Sequence, residues 1–436
     1  MSTDLIGVIG LIVLLALIFF GMPVGVAMAL IGFVGITVLS GLDVSFTLAQ
    51  IIPFHKSFDY VFSVLPLFFL MGNFAFHAGI GSDFFDTARK WFGHFRGGLA
   101  VATTAACAGF GAATGSSMAT VATMTRVALP EMRQANYDDA LSTGVIAASG
   151  TLAALIPPSV IVVIFAIIVE TSVAQLLIAG IIPGIWSALI YVAMILVISR
   201  LNPKLGPPVA PARWRERFKS LKDVWALGLV ILVVIGGLYF GIFTPTECGA
   251  LGAFGVFLLT IARRRLTWHK FKDSLLDTSM TTATIFILLV GLTFFTRFMA
   301  LSGLTVSITN YLGNLPVPNI VILIMVLMIY LFLGLFMEGV SMMFLTLPTV
   351  YPLMMELGYS PIWFGIILVK MIEIAVITPP VGINVYMVKA VLGDDVKLET
   401  VFRAIVPFFL MDVLTVITLI IFPQVVTFLP DLMYKG

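Results

Sequence analysis

Two short stretches of the chain carry adjacent prolines: Leu155-Ile156-Pro157-Pro158-Ser159 and Ile377-Thr378-Pro379-Pro380-Val381-Gly382-Ile383-Asn384. Each lies inside an apolar segment, at 140–169 and 362–392, that is long enough to cross a bilayer as a helix. A proline inside a helix removes an amide donor and clashes with the preceding turn, so a pair of them interrupts the helix. The sequence therefore predicts two helices that are broken within the membrane.

The composition around these stretches excludes a water-soluble globule. Of 436 residues, 60% are hydrophobic and 11% are charged, whereas soluble domains carry about 25% charged residues. Uncharged apolar stretches alternate with short charged loops, which indicates an all-α polytopic membrane protein and no nucleic-acid partner. The two cysteines, Cys107 and Cys248, lie in apolar surroundings without metal-ligand spacing and are expected to be small core residues. The first apolar run lacks the basic residues of a cleaved signal, so we expect it to be retained.

The prolines repeat along the chain with a constant offset. Four pairs are each separated by 222 residues: Pro23 and Pro245, Pro130 and Pro352, Pro157 and Pro379, and Pro158 and Pro380. One or two such coincidences are expected by chance, but these four mark corresponding breaks and connections in two halves. The sequence therefore predicts an internal duplication.

A segment rich in small residues precedes each broken helix. Residues 99–127 have Gly115, Ser116 and Ser117 at their centre, and residues 320–347 have Glu338 near theirs. The two helical parts of each segment are too short to cross separately, which favours a re-entrant hairpin. The alternative for these segments is a face of small residues that packs against another helix. The alternative for the proline pairs is an ordinary helix kink.

The charges indicate the topology. The first half is predicted to cross five times, and an odd number inverts the second half. Arg200 to Asp223 forms a basic loop, and placing it in the cytoplasm leaves outside only Lys56 and Lys435, with Arg297 and Lys370 in the membrane. The remaining 20 of the 24 basic residues are then cytoplasmic. Both termini are predicted on the periplasmic side, and the two hairpins enter from opposite faces.

The predicted organisation divides the chain into six parts. These are 1–98, scaffold helices of repeat 1; 99–169, hairpin 1 and its broken helix in the transport domain; 170–223, a helix and the basic connection; 224–319, scaffold helices of repeat 2; 320–392, hairpin 2 and its broken helix; and 393–436, the final helix.

Several charged residues fall within or beside the predicted spans. Glu338 is a functional candidate by default, with a structural hydrogen bond as the alternative. Glu373 and Lys370 are three residues apart on one helix, so a mutual ion pair and a substrate contact are equally favoured. Arg297 suits a carboxylate substrate or extends to the interface. Glu247 is expected to cap a helix N-terminus.

This arrangement indicates a secondary transporter. At a broken helix, backbone carbonyls without helical partners can bind a cation, and the positive N-terminal ends of half-helices can receive an anion. Two hairpin tips and two breaks thus predict two cation sites beside one substrate site. No His-Glu-x-x-His helix or phosphate-binding loop occurs in the sequence, so neither an intramembrane metalloprotease nor an ATP-driven pump is indicated.

Four stretches together resemble a known family. Residues 115–124, 155–159, 245–247 and 377–384 are similar to the large membrane subunit of the tripartite ATP-independent periplasmic (TRAP) transporters. The resemblance implies a multi-pass protein of the bacterial inner membrane with an elevator-type ion-transporter fold, which imports organic acids with Na+. It also implies two partners, a small four-helix membrane subunit and a periplasmic solute-binding protein.

The resemblance also implies site residues. The first Na+ site is assigned to Ser116, Ser117, Ala153, Ile156 and Pro158, and repeat symmetry assigns the second to Glu338, Gly339, Ala375, Thr378 and Pro380. The substrate-binding residues are expected to be Gly115, Ser159, Gly382, Asn384 and Arg297. The acid itself is not specified by the sequence; a C4-dicarboxylate, a sialic acid or another carboxylate or sulfonate fits. A stand-alone Na+- or proton-coupled dicarboxylate or citrate carrier is the alternative transporter, and an anion channel is the alternative from another class.

Overall fold

The computed structural model describes residues 2–380, 382–393 and 396–433, and the fold over these residues is all-helical. Val381, in the second proline stretch, and Lys435 lie outside the described residues. The first half contains α1 (Thr3–Phe19), α2 (Val24–Ser40), α3 (Leu42–Phe58), α4 (Val64–His77), α5 (Ile80–Phe92), α6 (Gly98–Thr114), α7 (Ser117–Gln134), α8 (Asp139–Ser149), α9 (Val160–Ile168), α10 (Val173–Ala179) and α11 (Ile181–Leu201). Short 3-10 turns occupy Tyr60–Ser63 and Gly150–Ala154.

The second half continues in the same manner. It contains α12 (Trp214–Tyr239), α13 (Pro245–Ala262), α14 (Trp268–Ser302), α15 (Leu304–Gly313), α16 (Asn319–Leu333), α17 (Gly339–Glu356), α18 (Pro361–Ala375), α19 (Ile383–Leu392), α20 (Leu398–Ile421) and α21 (Gln424–Met433).

The chain is a multi-pass membrane protein. Six helical segments of the described chain are long and apolar enough to cross a bilayer, judged by length and composition: Tyr60–His77, Val173–Leu201, Trp214–Tyr239, Pro245–Ala262, Trp268–Ser302 and Leu398–Ile421. The two cysteines, Cys107 and Cys248, are free and buried, which confirms their prediction as core residues.

The helices end where the prolines predict interruptions. Helix α8 ends at Ser149, and α9 begins only at Val160, after the Pro157-Pro158 pair. Helix α18 ends at Ala375 and α19 begins at Ile383. Both Pro-Pro peptide bonds are cis. Two pairs of consecutive helices also pack against each other across short turns, α6 with α7 and α16 with α17.

Several helices lie where the sequence indicates loops. Helix α5 occupies the predicted polar connection 80–98, and α15 occupies the predicted loop before Asn319. Helix α5 buries Ile80 and Phe85, but it also contains polar residues such as Asp86 and Lys90. Its average hydrophobicity therefore resembles that of a loop. Helix α14 begins at Trp268, eleven residues before the predicted start at 279, because its first turns are polar.

Buried charge anchors α5 to the connection between α13 and α14. Asp83, 9% exposed, accepts hydrogen bonds from Arg263 (2.6 Å) and from both terminal nitrogens of Arg265 (2.8 and 2.9 Å). The fork of Arg265 thus binds the carboxylate in bidentate geometry. At the start of α13, Glu247 accepts from the Thr244 amide (2.8 Å) and Thr244 accepts from the Glu247 amide (3.3 Å), which confirms the predicted N-cap role of Glu247.

Helices α2 and α14 approach closely through glycines. A Cβ added to Gly291 would overlap the carbonyl oxygen of Gly25, and one added to Gly32 would lie 2.5 Å from the carbonyl carbon of Phe294. Small residues allow this backbone contact between membrane helices. The absence of a side chain at Gly291 is therefore a packing requirement.

Gly291→Ala is expected to lower the free energy of unfolding by about 1–3 kcal/mol, because the added methyl group must separate two packed backbones. Thermal unfolding of the purified protein in detergent measures this effect. The matched control is Gly228→Ala on the exposed side of α12, where nothing lies within 4 Å of the added Cβ. The control is expected to be neutral or stabilising, because alanine favours helix. Equal melting temperatures for the two variants would contradict the packing argument.

A buried charge cluster joins α18, α20 and α11. Lys370 Nζ donates to Asp412 Oδ1 (2.5 Å) and to Ser187 Oγ (2.9 Å), and Tyr191 Oη donates to the same Asp412 oxygen (2.6 Å). All four residues are 0% exposed. Of the two equally favoured interpretations of Lys370 and Glu373, the mutual ion pair is therefore not the one that the structure contains. The sequence places Glu373 one turn away, but the fold brings Asp412, 42 residues distant, within hydrogen-bond range.

Lys370→Met alone is expected to destabilise the protein by about 3–5 kcal/mol, because Asp412 would remain buried without its counter-ion. The double variant Lys370→Met/Asp412→Leu removes both charges and should recover part of the loss. Melting temperatures of the wild type, both single variants and the double variant form the cycle that measures this coupling. Strictly additive losses would show that the two charges do not stabilise each other.

Candidate functional site

A cavity of about 450 Å³ lies where the two inter-helix turns meet. It is lined by residues of both halves, including six of the predicted site residues: Gly115, Ser116, Ser117, Glu338, Gly339 and Asn384. Helices α4 and α14, which belong to the predicted scaffold, complete the wall through Asn73, Thr281 and Thr284 among others. The cavity is thus at the boundary between the predicted transport and scaffold parts.

The first turn packs tightly on the first proline break. Gly115 has φ +59°, a left-handed conformation that glycine adopts readily, and an added Cβ would lie 2.8 Å from the carbonyl oxygen of Pro158. Ser116 caps α7 by accepting from the Ala119 amide (3.3 Å). Behind the turn, Ala153 lies against Gly111, where an added Cβ would be 2.7 Å from the alanine methyl.

The second turn repeats these contacts. A Cβ added to Gly334 would overlap the Ala375 methyl, and one added to Gly339 would overlap the Ile372 side chain. Glu338 precedes α17 and is exposed; a weak contact with the Ser341 hydroxyl is 3.5 Å long.

One hydrogen bond joins the two halves at the cavity wall. Ser117 Oγ, at the start of α7, donates to Glu373 Oε2 on α18 across 2.6 Å. Glu373 is 4% exposed. This contact links the first turn directly to the helix before the second proline break.

Four helix N-termini converge on the cavity. The first residues of α7, α9, α17 and α19 are Ser117, Val160, Gly339 and Ile383, and all four line it. The first amides of a helix have no partner within that helix, and the aligned peptide dipoles leave partial positive charge there. Among the lining residues, all in the described part of the chain, the charged ones are Glu338 and Glu373. Positive potential here therefore comes from the backbone.

The remaining predicted Na+ ligands are not among the residues that line the cavity. Ile156 is half-buried and would contact a side chain added at Gly184. Thr378 donates to the Ile374 carbonyl (2.6 Å), and Pro380 is exposed.

The remaining predicted substrate-binding residues are dispersed. Ser159 is buried and donates to the Ala154 carbonyl (2.5 Å). Gly382, with φ +40°, lies close to Phe402. Arg297 is exposed on α14 and is not among the residues that line the cavity. The structure thus gathers Gly115 and Asn384 at the cavity and leaves these three outside it.

Sequence reasoning did not place the partner of Ser117 or the polar groups on α4 and α14. The only signal for Asn73, Thr281 and Thr284 was a polar residue in an otherwise apolar span, which is too common to identify a site. Their joint position depends on how α4 and α14 pack.

Comparisons with known proteins show the family to which the chain belongs. Residues 11–425 match the family described as "Tripartite ATP-independent periplasmic transporter, DctM component". The chain belongs to this family. It is similar to the C4-dicarboxylate TRAP transporter large permease protein DctM of Pseudomonas aeruginosa, with 34% identity over 86% of each chain. It is also similar to the sialic acid TRAP transporter large permease protein SiaM of Vibrio cholerae, with 30% identity over 96% of this chain and 97% of that one.

A solved structure has the same fold. The YdaH transporter of Alcanivorax borkumensis superimposes with a TM-score of 0.64 over 88% of this chain and 89% of that chain, at 15% sequence identity. The family match and the relatives show that the protein is a large permease component of a TRAP transporter, and not an enzyme. The resemblance noted in the sequence is confirmed.

Gly115→Ala is expected to lower the free energy of unfolding of this TRAP permease for two reasons. Alanine loses roughly 1–2 kcal/mol in a left-handed conformation, and its methyl group must also push the first turn away from the Pro158 carbonyl. The matched control is Gly79→Ala, since Gly79 has φ +69° with nothing within 4 Å of its added Cβ. Melting temperatures of both variants separate the two effects. A loss at Gly115 no larger than the loss at Gly79 would contradict a tight contact with Pro158.

Proposed function

We propose that this TRAP permease imports an organic acid anion by Na+-coupled secondary active transport, with an elevator mechanism. The observation that carries the proposal is the meeting of four helix N-termini at one cavity that has no basic side chain in its described wall. Helix N-termini bind carboxylates and similar anions through free amides and the helix dipole. A carboxylated solute therefore suits this cavity.

Na+ is the proposed coupling ion, at two sites. The two turns and the two proline breaks interrupt regular helical hydrogen bonding. In the first break the carbonyls of Ile156 and Pro158 accept no backbone hydrogen bond from the described residues. Buried carbonyl oxygens need a partner, and hard cations prefer such oxygen ligands. The contacts of Ala153 with Gly111 and of Ala375 with Gly334 bring the predicted ligand segments of each half together.

Inverted repeats support the elevator mechanism. The 222-residue offset relates Ser117 to Gly339, which begin α7 and α17, and it also relates the two proline breaks. In secondary transporters, repeats of opposite orientation form a substrate site from discontinuous helices, and one part moves against the other. A cavity at the boundary between hairpins and scaffold helices is where such movement changes access. We infer that the two short helix pairs are re-entrant hairpins.

The proposed location is the bacterial inner membrane, with both termini in the periplasm. The support is the distribution of Lys and Arg, since basic loops favour the cytoplasm. The proposed partners are a small four-helix membrane subunit and a periplasmic binding protein that delivers the solute. The family is tripartite, and this chain is one component of it.

The solute is proposed to be a carboxylate such as a C4-dicarboxylate or a sialic acid, as named for the relatives from P. aeruginosa and V. cholerae. A carrier that works without a binding protein remains the second candidate, because the cavity lies wholly within this chain.

Reconstitution into liposomes tests the proposal. We expect uptake to require an inward Na+ gradient, the small subunit and a loaded binding protein. Replacing Na+ by K+ should abolish accumulation, and liposomes without the permease are the control. Uptake by this chain alone would instead support the stand-alone carrier, and an ohmic conductance would support a channel.

Variants at the turns test the proposed Na+ sites in the same assay. Ser116→Ala should be mild if backbone carbonyls are the ligands, whereas Ser116→Leu and Thr378→Leu should each reduce Na+-dependent uptake at least tenfold by filling the space next to those carbonyls. Unchanged uptake by both bulky variants would count against the assigned sites.

A further inference from the structure

Glu373 is a buried carboxylate in the cavity wall. It lies on α18, is 4% exposed, and accepts a hydrogen bond from Ser117 Oγ at 2.6 Å. It lines the same cavity as the four helix N-termini. A negative charge at this depth requires compensation, because burying an unpaired charge is costly.

Among the described residues, no basic side chain forms an ion pair with Glu373, so only the partial charge of the helix N-termini opposes it. Lys370, one turn earlier on α18, donates to Asp412 (2.5 Å) and to Ser187 (2.9 Å). Its charge is therefore balanced by Asp412, which also accepts from Tyr191 (2.6 Å). None of the ion pairs among residues 2–380, 382–393 and 396–433 includes Glu373.

A second oxygen in the same wall is also without a partner. Asn384 is 0% exposed and lines the cavity. Its Nδ2 donates to the Ala147 carbonyl (3.3 Å), but its Oδ1 has no hydrogen-bond partner in the described structure. An unsatisfied buried acceptor is unfavourable unless a ligand completes it. Glu373 and Asn384 thus present oxygen atoms that require a positive or hydrogen-bond-donating group.

The proposed anionic solute increases the need for a positive group near Glu373. An organic anion held by the helix N-termini would share a cavity of about 450 Å³ with the carboxylates of Glu338 and Glu373. Like charges repel strongly at low dielectric. The anion therefore needs a cation near Glu373, and the wall offers carboxylate, hydroxyl and amide oxygens, the ligand types that hard cations prefer.

We propose that Glu373 and Ser117 bind one Na+ ion, with Asn384 Oδ1 as the next oxygen of the site, and that this ion neutralises the cavity wall for the anionic solute. The proposal rests on the proposed function in taking the solute as an anion. It shares Ser117 with the first Na+ site assigned above. It differs from that site in its central ligand, an ionised Glu373 side chain on α18 that receives the Ser117 hydroxyl of α7. The bound ion would hold the first turn against the helix that precedes the second break.

Binding of radioactive Na+ to the purified chain, without solute or partner proteins, tests this site. Glu373→Gln keeps the size of the side chain and removes its charge. We expect it to bind one Na+ fewer at saturation than the wild type, or to need at least tenfold more Na+ for that component. Ser117→Ala, which loses only the hydroxyl, should raise the half-saturating concentration about threefold. Glu356→Gln is the matched control, because Glu356 is an exposed acid at the end of α17 outside the cavity wall.

The outcomes are distinguishable from failure of the proposed function. Unchanged Na+ number and half-saturation in Glu373→Gln would overturn this site, and so would a wild type that binds no Na+. Loss of Na+-dependent uptake in the complete wild-type system would overturn the sodium coupling itself. If Glu373→Gln does not elute as a single folded species, Ser117→Ala and Glu373→Asp decide. Both should weaken Na+ binding, and wild-type binding in both would overturn the proposal.

Discussion

The central constraint on this fold is that every peptide group at a helix end must find a partner away from water. The chain creates such ends in its interior, at the turns after Thr114 and Leu333 and at the breaks after Ser149 and Ala375. In hydrocarbon each unsatisfied group would cost several kcal/mol. The fold brings the starts of α7, α9, α17 and α19 to one cavity, where a ligand can meet them. Backbone geometry rather than a cluster of reactive side chains therefore defines this site.

The parts of the site that follow from backbone chemistry could be predicted from sequence. Paired prolines cannot continue a helix, and Gly115 before Ser116 combines a residue that tolerates φ +59° with a good N-cap. The side-chain partners could not be predicted. Ser117 and Glu373 are 256 residues apart, and Lys370 selects Asp412 over the nearer Glu373. Such pairs depend on which helices pack together, and a single sequence contains no direct record of that.

The scaffold shows the same division. Apolar length identifies spans such as α12 and α20, but it does not identify α5, where a polar face lowers the average hydrophobicity. It also does not identify partners: α2 meets α14 through Gly25 and Gly291, and glycines of this kind are frequent in membrane helices. Whether such a glycine is required for packing depends on the residue opposite. Gly228 is not required in this way, because nothing lies within 4 Å of a Cβ added there. Local rules thus predict where helices stop, and packing decides what each end contacts.

In the proposed cycle, coupling between ion and solute follows from the size and charge of the cavity. Four positive helix ends attract an anion, while Glu338 and Glu373 oppose it. A Na+ ion at Glu373 cancels the repulsion between that carboxylate and the anion. By thermodynamic linkage, the factor by which Na+ raises anion affinity equals the factor by which the anion raises Na+ affinity. Neither ligand needs a separate allosteric path. The ion at the Ser117–Glu373 contact then has two roles: it balances the charge of Glu373, and it holds the first turn against α18. A turn that closes only when both ligands are present would prevent leakage of Na+ alone.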